Sequence, residues 1–185
     1  MATSRDIHYT TPGLSTEQAA RVVSLLQSRL HAMNDLHLTL KHVHWNVVGP
    51  HFIAVHEMID PQVEAVRGFA DDLAERIATL GGSPKGTPGS IVDERDWDDY
   101  SLGRAGTQQH LGALDLVYRG VISTNRETLA ELDDLDLVTQ DMVIGQTEQM
   151  ELFHWFIRAH LEDQGGHLST EGATDEKDAA AAAGA

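Results

Sequence analysis

The chain has 185 residues, contains no cysteine and carries a formal net charge of −16 at pH 7. This length suits one domain with a substantial core. The lack of cysteine excludes disulfides and iron–sulfur ligation and favours a cytoplasmic location. We expect neither a membrane span nor a signal peptide, because the apolar runs are too short. The strong negative charge disfavours nucleic acid as a partner and favours cations.

The first half of the chain predicts a short arm followed by two long helices. Ser15 and Gln18 match the capping-box pattern, so we place the start of the first helix there. Two consecutive glycines end the second helix, and Pro61 is a candidate kink inside it. The predicted elements of this half are the arm 1–14, the helix 15–43 and the helix 52–80.

The second half predicts two more long helices, at 104–132 and 136–162, after a Gly/Pro-rich connection. We expect one short helix inside this connection, around Ile91–Asp98. One long connection between two short ones is typical of a ferritin-like four-helix bundle, which we place at residues 15–165. An ordinary up-down bundle is the alternative, although a connection this long is uncommon without a span to cross. Residues 166–185 are polar, end in alanines and predict a mobile tail.

The second predicted helix carries histidine and carboxylate side chains on one face. At about 100° per residue, His56, Asp60, Asp71 and Glu75 lie within roughly 100° of one another around the axis. His44, at the end of the preceding helix, adds a second imidazole. Imidazole and carboxylate suit Fe(II), Zn(II) or Mn(II), so this face is a candidate metal site.

The spacing along the helix prevents one chain from completing this site. His56 and Asp71 are about 22 Å apart along the axis, too far to share an ion. An antiparallel copy of the helix, related by a two-fold axis near residues 64–67, would bring the two ends together. The spacing therefore predicts a site shared between two subunits, formed twice per dimer.

A solvated helix face is the competing interpretation, and two features favour the metal site over it. Small residues near the ligand face (Gly68, Ala74 and Ala78) would permit close approach of a second helix. The apolar residues of the same helix also form a separate seam, centred about 120° away, typical of a packed bundle. They are Phe52, Ile59, Val63, Val66, Ala70, Leu73, Ile77 and Leu80.

Residues 34–84 carry consecutive motifs of a known family. The stretches HWNVVGPHF, HEMID and DDLAERIATLGG resemble the Dps, or mini-ferritin, family, and especially its actinobacterial members. The similarity covers all four predicted helices, while the two ends of the chain match in no informative way.

The resemblance implies a hollow shell of twelve subunits that oxidises Fe(II), stores the ferric mineral and protects against oxidative stress. It implies H2O2 as the preferred oxidant over O2 and requires no organic cofactor. The family's ferroxidase centre lies at the two-fold interface. The matching positions here are His44, His56 and Asp60 of one chain, with Asp71 and Glu75 of the other.

The resemblance also gives Trp45 a role. It occupies the position of a tryptophan that packs beside the iron site and quenches oxidising radicals in this family. An aromatic plug closing the end of the bundle is the alternative. Glu57 and Glu64 are candidates for mineral nucleation on the inner wall, with a solvated helix face as the alternative.

Acidic residues near the start of the fourth predicted helix are candidates for an iron-entry pore. We assign Asp136 and Asp141 to a pore at a three-fold axis, although carboxylates there also favour the helix dipole. Further along, Glu151 and His154 resemble half of the ligand signature of ferritin-type di-iron centres. No second copy of that signature exists, so chance spacing is the preferred explanation.

The termini differ from the lysine-rich arms of DNA-binding Dps proteins. Residues 1–14 contain one arginine and one aspartate, and residues 169–185 contain four acids and one lysine. Phosphate contacts from lysine and arginine dominate non-specific DNA affinity, so we predict weak or absent DNA binding at neutral pH. Two alternative functions remain: a nucleoid-associated protein that compacts DNA, and a helical module holding structural zinc.

Overall fold

The computed structural model describes residues 7–185, so the first six residues of the predicted arm lie outside the described part. The elements are α1 (Thr16–Asn46), β1 (Val47–Val48), α2 (Phe52–Thr79), α3 (Pro88–Glu94), β2 (Ala105–Gly106), α4 (Thr107–Leu132), α5 (Leu137–Arg158) and α6 (Glu176–Gly184). The four long helices match the predicted ranges to within about four residues, and α3 lies in the long connection as expected. Over residues 7–185, no helix is both long and apolar enough to cross a membrane.

The helix ends follow from local sequence. At the start of α1 the Gln18 amide donates to Ser15 Oγ at 3.1 Å, and the Ser15 amide donates to Gln18 Oε1 at 3.0 Å. The predicted capping box is confirmed. At the end of α2 the Gly82 amide donates to the Ile77 carbonyl at 2.9 Å, and Gly81 has φ +86°. Glycine suits this left-handed position, and here the Tyr9 carbonyl also lies where a β-carbon would project.

Helix α2 has the two faces that its sequence predicts. Of the apolar seam, only Phe52 is substantially exposed, and the other seven residues are buried. Asp60, Asp71 and Glu75 are exposed and His56 is half-buried. Burial of one face orients the helix and leaves its acids accessible to a metal ion or a second molecule.

A short parallel strand pair was not predicted. Val47 lies opposite Ala105 and Val48 opposite Gly106. Strands of two residues are too short for an alternating hydrophobic pattern to be recognised. The pair begins immediately after α1 and ends immediately before α4, so it ties together the chain segments that flank the histidine-rich end of α1.

The chain forms two compact units. The first contains the residues up to His37, Ala65–Asp96 and Thr124–Thr147, and the second contains Leu38–Glu64, Trp97–Ser123 and Glu148–Ala185. Each unit has its own buried apolar residues: Val22, Leu26, Leu73 and Val143 in the first, and Leu40, Ile59, Leu114 and Ile157 in the second.

The C-terminal tail differs from the mobile extension expected for residues 166–185. Asp175 caps α6 by accepting a hydrogen bond from the Asp178 amide at 2.9 Å. Ala179 and Ala180 are buried, and a β-carbon on Gly112 of α4 would lie 2.8 Å from the Ala183 Cβ. The alanine run therefore packs as a small apolar helix face, which its composition did not indicate.

Candidate metal centre

Three side chains of the second unit converge at the end of α1 and the start of α2. Among the described residues, His44, His56 and Asp60 offer ligand atoms that lie within 4.8 Å of one another. The two imidazole rings stack with centroids 3.6 Å apart. His44 Nδ1 lies 3.1 Å from Asp60 Oδ1. Two nitrogen donors and one carboxylate fit Fe(II), Zn(II) or Mn(II).

The backbone fixes which nitrogen of each ring is available. His56 Nδ1 lies 3.0 Å from the His44 carbonyl oxygen, and His44 Nδ1 lies 3.2 Å from the His56 carbonyl oxygen. Because a carbonyl oxygen only accepts, each Nδ1 carries the proton and donates. Each Nε2 then keeps its lone pair, as a metal ligand requires.

The turn between α1 and α2 explains this reciprocal contact. Gly49 has φ +112°, a conformation that favours glycine, and it reverses the chain directly after β1. The reversal brings position 44 beside position 56. The Phe52 ring then packs against the His56 ring with centroids 4.9 Å apart, which limits rotation of that imidazole.

Lys41 is a member of this site that the sequence alone did not assign. Its Nζ donates to Asp60 Oδ1 at 3.2 Å. Desolvation raises the pKa of Asp60, but the Lys41 hydrogen bond and the electrostatic influence of the neighbouring His44 and Lys41 outweigh it, so the pKa of Asp60 is lowered overall. Asp60 is therefore ionised at neutral pH. The position of Lys41, one helical turn before His44, was the only hint in the sequence that it belongs to this site.

Trp45 lies beside the cluster and is 71% exposed. The Lys41 ammonium is 5.8 Å from the centroid of its ring, within cation–π range. A side chain so exposed does not plug the end of this chain's bundle, so that alternative does not fit the structure.

The remaining predicted ligands lie apart from the cluster in a single chain. Asp71 and Glu75 are exposed on the part of α2 that belongs to the first unit. Among the described residues of one chain, neither Asp71 nor Glu75 brings a ligand atom to the cluster of His44, His56 and Asp60. The candidate nucleation residues Glu57 and Glu64 are also exposed on α2.

The two pore candidates have different surroundings. Asp136 is buried, and its Oδ2 accepts from Arg76 Nη2 at 2.6 Å and from Thr139 Oγ1. Desolvation raises the pKa of Asp136, but the hydrogen bonds from Thr139 and Arg76 outweigh this effect, so the pKa is lowered overall. Asp141 is exposed. In one chain, Asp136 is thus engaged in an ion pair, whereas Asp141 is accessible.

His154 contacts a buried aspartate instead of joining a di-iron ligand set. Its Nε2 lies 2.7 Å from Asp115 Oδ1, and Thr170 Oγ1 donates to Asp115 Oδ2 at 2.7 Å. Asp115 is 2% exposed. These contacts join α4, α5 and the C-terminal segment, so the pair has a structural role that the sequence spacing did not indicate.

Known proteins resemble this chain over most of its length. A family model described as a ferritin-like domain matches residues 23–164. The DNA protection during starvation protein of Mycolicibacterium smegmatis is 63% identical over 172 residues, covering 93% of this chain and 94% of that protein. A solved structure of Mycobacterium smegmatis Dps has a TM-score of 0.89 and 62% identity, covering 90% of this chain and 96% of that chain. The structure of DpsA14 from Streptomyces coelicolor has a TM-score of 0.87 and 61% identity, covering 88% of this chain and 97% of that chain.

These matches confirm the ferritin-like four-helix fold with one long crossover. They also confirm the resemblance that the motifs of residues 34–84 indicate. Both the whole-chain identity and the shared fold place this protein with its actinobacterial relatives, and the chain belongs to the Dps family of ferritin-like proteins.

Proposed function

We propose that the protein is a cytoplasmic ferroxidase that oxidises Fe(II), preferably with H2O2, at sites shared between two subunits of a dodecamer. It stores the ferric product as a mineral inside the shell and so protects against oxidative stress. Its iron ligands are His44, His56 and Asp60 of one subunit and Asp71 and Glu75 of the other. Asp141, with Asp136, lines the pore by which Fe(II) enters.

The incomplete ligand cluster is the observation that carries this proposal. Backbone carbonyl groups hold His44 and His56, and Lys41 holds Asp60. Three donors with an exposed carboxylate nevertheless fall short of the closed four-ligand site of structural zinc. The exposed Asp71 and Glu75 would supply the further carboxylate donors that complete the cluster. A two-fold axis near residues 64–67 would bring them to the partner's histidines.

Exposed apolar side chains support a second subunit at this face. Leu38 and Trp45, seven residues apart on α1, are 53% and 71% exposed, and Ile53 of α2 is 57% exposed. Leu38 and Trp45 share one side of the helix. Large apolar side chains concentrated beside an unfinished ligand set favour burial against another copy of the chain.

The ligand types suit the proposed chemistry. Carboxylates stabilise the harder ferric product, and neutral imidazoles hold Fe(II) without adding charge. Two Fe(II) ions each give one electron to H2O2, which takes up two protons and leaves as two water molecules. Peroxide is consumed without release of a hydroxyl radical, and the net acidic chain attracts Fe(II).

A subunit-mixing experiment tests the shared site. We expect His44→Ala and Asp71→Ala assemblies each to lose rapid Fe(III) formation in stopped-flow measurements with H2O2. When the two variant chains are coassembled, each mixed dimer regains one complete site, so random mixing should restore about a quarter of the wild-type sites.

The matched control mixes His44→Ala with Asp60→Ala, because both changes affect the same side of the site. No dimer of these chains contains a complete site, so activity should stay absent while the assembly size is unchanged. Equal activity in the two mixtures, or an active His44→Ala assembly, would exclude a site divided in this way. A parallel reaction with O2 ranks the oxidants.

DNA compaction is the second candidate, favoured by the name of the 63% identical relative, a DNA protection during starvation protein. Removal of Fe(II) and peroxide would protect DNA without contact. The net charge of −16 and the acidic tail of this chain oppose phosphate binding. Weak DNA binding therefore remains part of the proposal.

A further inference from the structure

The three tyrosines of the chain have three different surroundings. Tyr9 is 70% exposed. Tyr118 is fully buried, and its hydroxyl donates to Gln62 Oε1 at 2.7 Å. The Tyr100 hydroxyl instead lies 2.9 Å from Nδ1 of His110, a buried histidine. Only Tyr100 is hydrogen-bonded to a group that can take up a proton near neutral pH.

His110 is held as a neutral base. Burial, the largest influence, lowers its pKa, with a further contribution from His42, and backbone carbonyl groups of Asn46 and Gly103 offset part of this. In the tautomer that carries the ring proton on Nε2, Nδ1 accepts a hydrogen bond from the Tyr100 hydroxyl. Nε2 is buried and makes no hydrogen bond of good geometry. A proton arriving at Nδ1 would give an imidazolium that neighbouring carbonyls stabilise.

The surroundings of Tyr100 prevent simple ionisation. Burial is the largest cause that raises its pKa, followed by the charge of Glu176. Loss of an electron makes a phenol strongly acidic, so oxidation requires that its proton leave at the same time. A positioned base removes that barrier, and an amide such as that of Gln62 does not.

We infer that Tyr100 and His110 form an oxidisable pair that captures stray one-electron oxidants produced beside the iron site. A hydroxyl radical takes one electron and a proton from solvent and becomes water. Tyr100 supplies the electron, and its phenolic proton moves to His110 Nδ1, leaving a neutral tyrosyl radical. One electron from Fe(II), which becomes Fe(III), then restores the phenol as the proton returns.

The Tyr100 ring contacts α1, the helix that carries the proposed ligand His44. The His42 ring packs edge-on to the Tyr100 ring with centroids 5.8 Å apart. His42 Nε2 is held by the Leu102 carbonyl at 2.8 Å, and His42 precedes the proposed ligand His44 by two residues on α1. This inference rests on the proposed iron–peroxide chemistry: where a site holds a single Fe(II), one-electron reduction of H2O2 gives Fe(III), hydroxide and the hydroxyl radical.

Freeze-quench electron paramagnetic resonance on the full-length assembly tests the pair. All samples carry Tyr9→Phe, which leaves Tyr100 and Tyr118, and ring-deuterated tyrosine identifies a tyrosyl signal by its narrowed splitting. After Fe(II) and H2O2, we expect a tyrosyl signal that Tyr100→Phe reduces at least tenfold. Tyr118→Phe is the matched control and should leave it unchanged. His110→Gln keeps the phenol, removes the base and should also suppress the signal.

A second arm separates this inference from the proposed function. The iron-free assembly is oxidised with a photogenerated ruthenium(III) complex, which needs no ferroxidase site. A Tyr100 radical in the ruthenium arm supports the oxidisable pair. If the ruthenium arm gives this radical and Fe(II) with H2O2 does not, the result counts against the proposed iron chemistry and not against the pair. A signal that survives Tyr100→Phe or disappears with Tyr118→Phe in both arms would overturn the inference. Assembly size, measured for each variant, identifies any that fails to fold.

Discussion

Asp136 directly precedes α5, where its carboxylate accepts hydrogen bonds from Arg76 and Thr139. The Val138 amide also donates to Asp136 Oδ1 at 3.3 Å, so the residue acts as an N-cap. The side chain of Asp136 is only 7% exposed, and that of Arg76 is 17% exposed. These contacts make Asp136 a stabilising residue of the first unit, whatever it contributes to a pore.

The change Asp136→Asn tests this stabilising contribution. Asparagine keeps the capping oxygen but removes the negative charge, so we expect a loss of about 1–2 kcal/mol of stability at pH 7. For a chain of this size that lowers the Tm by about 2–8 °C. Differential scanning calorimetry measures it, and Asp141→Asn, at an exposed position of α5, is the control with little change.

The pH dependence of this difference has a definite sign. The folded pKa of Asp136 is lowered, below an unfolded value of about 3.9. The stabilisation is therefore complete above the unfolded pKa and is lost as the pH falls through the folded pKa. The Tm difference between wild type and Asp136→Asn should be largest at neutral pH and narrow below about pH 4. A difference that grows on acidification would contradict the ion pair.

At the scale of elements, α6 shows how a compositionally simple segment is fixed in place. Two polar contacts hold the chain that leads into it: Thr170 donates to Asp115, and the Ser101 amide donates to Glu176 Oε2 at 2.7 Å. Gly112 then allows the backbone of α6 to approach α4 closely. The tail is thus attached to the second unit at both its polar and its apolar residues.

The pair Gly112→Ala and Gly120→Ala tests that approach on one helix. A β-carbon at Gly112 meets the backbone of Ala179, so α6 must move, at a cost of about 1–2 kcal/mol. Tryptic cleavage after the exposed Lys177 should then accelerate roughly five- to thirty-fold. Gly120 is the matched control, because a β-carbon built there meets nothing within 4 Å. Alanine at this position should leave the cleavage rate unchanged and stabilise the helix. Equal cleavage rates for both variants would mean that α6 does not depend on Gly112.

At the scale of the whole molecule, charge governs encounter with DNA. The chain has 29 acidic residues against 13 lysines and arginines, and α6 places acids within a packed tail. We expect no complex with duplex DNA in gel shifts at physiological salt and neutral pH. Glu171→Lys with Asp178→Lys, at two exposed tail positions, should create binding that weakens as salt is raised. A tight wild-type complex that dissolves on raising the salt would contradict the prediction.

Local sequence determined the four long helices, the start of α1, the end of α2 and the two faces of α2. Each depends on residues a few positions apart: Ser15 with Gln18, the glycines after α2, and the spacing of apolar and acidic residues. The same local motifs, concentrated in residues 34–84, sufficed to indicate the family. The ligand types and their helical spacing also predicted that His56 and Asp71 could not share an ion within one chain.

Only the tertiary structure decided which polar groups meet across distant parts of the chain. The Lys41–Asp60 contact, the Arg76–Asp136 ion pair and the Tyr100–His110 pair each join different elements, and no periodicity within one helix encodes them. The packing of α6 on Gly112 likewise depends on an approach between segments about 70 residues apart, where chain closure carries an entropic cost that many contacts together offset. Sequence specifies what each residue can do chemically and which face it occupies, whereas the fold selects its partner because burial and hydrogen bonding are satisfied collectively.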